Sequence, residues 1–202
     1  MSTLRDARAI LRGRARGARE VLDATRSPED PMGVWFTVLR TIHIVGGIFW
    51  AGGSWVLYGF VFPSVVSTQP ESGRFMQVLA GRSGLPIAIN VAAVASVLAG
   101  IAIYVPASGH FDPGWMASPR GVTLSVGAAI ALLVAIEGQI VLSPTARRMG
   151  TIGRAVATSG WPPTSEQWQQ FAALQAKLIR TGRRGALLLV VATLLMAVSR
   201  YL

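Results

Sequence analysis

The chain contains no cysteine, which excludes a disulfide framework, a thiolate metal site and a cysteine nucleophile; redox chemistry here needs a bound cofactor. Charge is scarce as well. Of 202 residues, 14% are charged and 51% hydrophobic, a balance too apolar for an ordinary soluble domain of this length. Enzyme signatures are absent too: there is no phosphate-binding glycine loop, no acid and base paired at metal spacing, and no serine in a nucleophile context. The formal charge of +10 would suit nucleic acid. However, the arginines lie mostly outside the apolar runs, in the N-terminal tail and in one long loop, which is the placement of membrane flanks.

What the sequence does have is apolar length. Crossing a bilayer takes about 20 apolar residues, and four runs qualify, at about 35–66, 86–104, 121–142 and 185–202. They predict an all-α fold, an integral membrane four-helix bundle occupying residues 34–202, preceded by an arginine-rich surface segment at 1–33. Within that segment, residues 1–26 interleave arginines with Leu4, Ala7, Ile10 and Leu11, the pattern of an amphipathic helix lying on a membrane. No apolar core follows these charges before Pro31, so the segment is not a signal peptide. The first run exceeds a span and is expected to tilt or protrude, with "FVFPS" allowing a kink or stop at Pro63.

Two connections carry further signals. "PASGHFDPGWMASPRG" is turn-rich and puts Trp115 at headgroup level, while "TSEQWQQFAALQAKLIRTGRR" predicts a helix in the third loop, opened by a capping box from Thr164 to Gln167. Orientation is contested. The tail and the third loop fall on opposite faces of a four-span chain, and each holds seven Arg or Lys. Small residues at Ala88, Ala92, Ser96 and Gly100, and at Gly121, Ser125 and Ala129, have the spacing that lets helix backbones approach closely in lipid.

The chemistry-bearing residues gather on the first run. Arg40, His43, Gly47, Trp50 and Ser54 recur at three and four residues and share one helix face. A titratable side chain inside a bilayer costs on the order of 2.5 to 3.5 kcal/mol by insertion scales, so it faces the bundle interior and often marks function. Depth counted at about 1.5 Å per residue puts Arg40, His43 and Arg200 toward the N-terminal face. Asn90, Glu137, Gln139 and Tyr58 fall toward the other. The first layer suits haem b: iron takes the imidazole of His43, propionates take Arg40 and Arg200, and Gly46 or Gly47 admits the ring edge. The same residues admit plainer roles, in which His43 ties two helices together, the arginines snorkel to headgroups and Trp50 is core. Glu137 is expected to pair with Asn90 or Tyr58, or to handle protons.

"IHIVGGIFWAGG" followed by "FP", "SPTARRM" after the third run and "MAVSRYL" at the end resemble the small four-helix bacterial membrane proteins related to copper-resistance protein D. More distantly, the chain is similar to HemJ-type protoporphyrinogen oxidase, whose first span also has a histidine followed by a tryptophan. The resemblance covers roughly residues 35–202. It implies haem binding at His43, with Trp50 as the aromatic that follows, and a place in the bacterial inner (cytoplasmic) membrane. The rest of the HemJ pattern has no counterpart here, so oxidase activity is not carried over. Electron transfer or haem handling is the expected role. Two alternatives remain open. Copper transport follows from the kinship, but Met32, Met76, Met116, Met149 and Met196 are dispersed, whereas Cu(I) wants clustered soft ligands. A non-catalytic subunit of a larger respiratory or photosynthetic complex, or a homo-oligomer, would use the small-residue faces.

Overall fold

The computed structural model describes residues 31–68, 75–76, 78–79, 83–159 and 163–202. Residues 1–30, where the amphipathic surface helix is expected, lie outside them. By its own contacts the chain divides between Val38 and Leu39, and the packing contacts and candidate site residues lie in the unit from Leu39 onward.

Every described element is helical. Helix α1 (Pro31–Val56) leads through a π-helical turn (Leu57–Val61) into α2 (Phe62–Ser67); α3 spans Leu85–Ala107; α4 (Pro113–Ala117) is a single short turn. Helix α5 (Pro119–Glu137) passes through a second π turn (Gly138–Leu142) into α6 (Ser143–Ser159), and α7 (Ser165–Val198) ends in a 3₁₀ turn at Ser199–Tyr201. Four of the resulting helices are long and apolar enough to cross a membrane by length and composition: Gly33–Ser67, Leu85–Ala107, Pro119–Thr158 and Ser165–Tyr201.

The π turns within the first and third long helices share one cause. Proline lacks an N–H, and its ring collides with the carbonyl four residues earlier. Pro63 and Pro144 each follow one residue behind a π turn, and there the Phe62 and Ser143 amides bond back five residues, to the Leu57 and Gly138 carbonyls. The widened turn lets the helix absorb the proline and continue, so the first helix runs through Pro63 to Ser67.

Helix starts follow the sequence signals. Thr164 Oγ1 accepts the Gln167 amide at 3.2 Å and Gln167 Oε1 accepts the Thr164 amide at 2.9 Å, completing the capping box. Ser118 caps α5 by accepting the Gly121 amide at 3.0 Å. The expected boundaries shift at the third and fourth runs. The helix of the third loop is continuous with the fourth span, so 185–198 is the last part of a 34-residue helix, and the third run extends past Leu142 into α6. The glycines of "RTGRRG" weaken helix propensity, but Gly182 is packed against the Tyr58 ring and Gly185 against Val134. Tertiary contact overrides local propensity. At about 1.5 Å per residue α7 is roughly 50 Å long, about 20 Å more than a hydrocarbon core; its first part therefore pairs with α6 as a hairpin beyond the apolar runs.

The four long helices meet in one small core. Trp50, Ala93, Val134 and Leu189, one from each, are buried together, with Ala51, Ile89, Val97, Ala135 and Leu188 packed around them.

Candidate functional site

His43 lies two turns before Trp50 on α1, and the opposing surface of α3 is shaped to it. Gly100 has no side chain where the imidazole packs: a Cβ there would stand 2.9 Å from both Cε1 and Nδ1 of His43. One turn earlier on α3, Ser96 closes a reciprocal pair. The ring Nδ1 lies 2.8 Å from the Ser96 carbonyl oxygen, and Ser96 Oγ donates to the His43 carbonyl at 2.8 Å. A carbonyl can only accept, so the proton sits on Nδ1. Nε2 of the neutral ring keeps its lone pair, and the hydrogen bond at Nδ1 fixes the ring's orientation. His43 is half-buried.

The other expected site residues separate into three groups. Gly46 and Gly47 serve helix approach: a Cβ on Gly46 would meet the Ala92 carbonyl at 2.9 Å, and one on Gly47 would meet Ser96 Oγ at 3.3 Å. The backbone of α3 thus closes on Gly46, while at Gly47 the one near atom is the Ser96 hydroxyl. Trp50, at 7% exposure, belongs to the four-helix core, and Ser54 is buried on the same face. Arg40 and Arg200 are exposed; neither makes a hydrogen bond or ion pair among the described residues, which leaves both guanidiniums available to an anion.

Glu137 does not pair with Asn90 or Tyr58. It forms an ion pair with Arg184 of α7, at the level where the apolar part of α7 begins. Arg184 is 65% exposed and Glu137 21%, so water screens the pair and its net contribution is small. The sequence carried the signal only weakly, as an acid at the end of one apolar run and a basic cluster at the start of another.

At the N-terminal face of the bundle, Tyr104 gathers the connection between α3 and α5. Its hydroxyl lies 2.6 Å from Ser125 Oγ and 3.3 Å from Met116 Sδ, and its ring packs edge-on against Trp115. Gly121 lets the Trp115 carbonyl press directly onto α5. His110 is exposed in this turn with φ of 60° and takes no part in the site. Among the described residues no group of three His, Asp or Glu side chains could hold a metal ion. Two open clefts on the described surface lie elsewhere, one beside Ile152 and Leu174 in the hairpin and one beside Phe60 and Val65.

Comparison with protein-family models, with curated proteins and with solved structures finds no match to this chain.

Proposed function

We propose that the chain is an integral membrane protein that binds b-type haem through Nε2 of His43, and that it serves electron transfer or haem handling. One observation carries the reading: the Ser96 carbonyl 2.8 Å from Nδ1 fixes the tautomer that presents Nε2 as a ligand, the arrangement that orients metal-binding histidines generally. A single imidazole suits haem better than a protein-ligated ion, because the macrocycle itself supplies four ligands. Arg40 and Arg200, unpaired toward the same end of the helices, would take the propionates. Haem would supply one-electron chemistry at its iron; the protein's part is to hold the imidazole correctly turned through the Ser96 carbonyl.

The same hydrogen bonds favour a second reading, in which His43 is an interhelical tie without a ligand. Haem content separates the two. Protein purified from haem-replete cells should carry haem, and His43→Ala should lose it while still inserting in the membrane. If His43→Ala retains the haem of the wild type, His43 is not the ligand.

A further inference from the structure

Charge is unevenly spread along the hairpin formed by α6 and the first part of α7. Arg147 and Arg148 stand at the start of α6, and Lys177, Arg180 and Arg183 near the point where α7 enters its apolar run; all five are exposed. None makes a side-chain hydrogen bond or ion pair among the described residues, in contrast to their neighbour Arg184, which Glu137 neutralises. Residues 149–176, the outer part of the hairpin, contain only Arg154 and Glu166 as charged residues.

The charges therefore form a collar at the hairpin's base and leave its outer part nearly neutral. At about 1.5 Å per residue, all five lie within about 12 Å of Leu142 or Gly185, where the apolar runs end. The headgroup layer extends beyond the hydrocarbon core by roughly 5 to 7 Å on each side, and long basic side chains bend back toward it. An acidic protein docking on the hairpin would meet the outer part first, and the charge is missing there.

We propose that the collar binds the phosphates of anionic phospholipids in the leaflet opposite the Arg40 end of α1. This rests on the membrane reading of the four helices and is independent of haem. Guanidinium and ammonium groups bind phosphate by charge-assisted hydrogen bonds, and a band of them at the base of α6 and α7 would fix the depth at which the bundle sits.

The test is native mass spectrometry of the full chain carrying phosphatidylglycerol or phosphatidylcholine, with thermal unfolding in nanodiscs of each lipid. Wild-type protein should retain and be stabilised by phosphatidylglycerol in preference, and the preference should shrink in high salt. Replacing Arg147, Arg148, Lys177, Arg180 and Arg183 by Gln should cut it by about tenfold or more, while Arg154→Gln should leave it unchanged. Arg180→Gln with Arg183→Gln is the milder variant should the full set not fold, with an intermediate loss expected. Equal retention of both lipids by the wild type would overturn the proposal, as would a preference that survives the collar substitutions, which would locate lipid binding elsewhere. Failure to remain in phosphatidylcholine nanodiscs at all would instead refute the membrane reading.

Discussion

Two of the polar ties that hold helices together in this molecule are built on opposite terms. Toward the N-terminal face, His43 and Ser96 exchange hydrogen bonds in which each side chain reaches the other's backbone carbonyl. Toward the other face, Glu137 and Arg184 join by charge. The neutral tie is half-buried and needs glycine opposite it, because the ring lies where a Cβ of residue 100 would be. The ionic tie sits where Arg184 is mostly in solvent and requires no such shaping. Polar groups at depth must be satisfied by geometry, while those at the boundary can be satisfied by water. Only the geometric tie leaves a defined atom, Nε2, uncommitted.

Breaking the tight packing should have the largest effect. Gly100→Val forces a Cβ to within 2.9 Å of the imidazole, and overpacking of this kind costs about 1 to 3 kcal/mol. Thermal unfolding in detergent should show the loss, and bound haem should fall with it as the ring is pushed off the Ser96 carbonyl. Ser96→Ala should do less. It removes the bond from Oγ to the His43 carbonyl, worth about 0.6 kcal/mol by membrane double-mutant cycles, yet leaves the acceptor for Nδ1 in place because that acceptor is backbone. Its haem absorbance should match the wild type; a lost or altered spectrum would mean that the hydroxyl, and not the carbonyl, sets the tautomer. Glu137→Gln should have the smallest effect, between about 0 and 1 kcal/mol for a solvent-screened pair. That loss should diminish further in high salt. An effect at Glu137 larger than at Gly100 would reverse the comparison.

These contrasts also mark what the sequence could reveal. The apolar runs, the capping box at Thr164 and the shared face of His43 and Trp50 depend on spacing along one helix, so they are legible. The ion pair joins residues 47 apart in sequence, and nothing local names Arg184 rather than its neighbours as the partner. Gly46 reads as an open notch because a sequence shows the missing side chain and not the α3 backbone that lies against it. The continuity of α7 through Gly182 and Gly185 was hidden for a related reason: their low helix propensity is visible, whereas the Tyr58 ring and Val134 that hold them are distant in the chain. The role of Nδ1 belongs to the same class, since a carbonyl has no sequence signature at all.

The claim that His43 is a haem ligand is tested most directly by the absorbance spectrum of wild-type protein purified from haem-replete cells, recorded before and after dithionite. The account predicts a Soret band that shifts on reduction. A preparation with no Soret band would contradict it and leave His43 and Ser96 as a structural tie between α1 and α3.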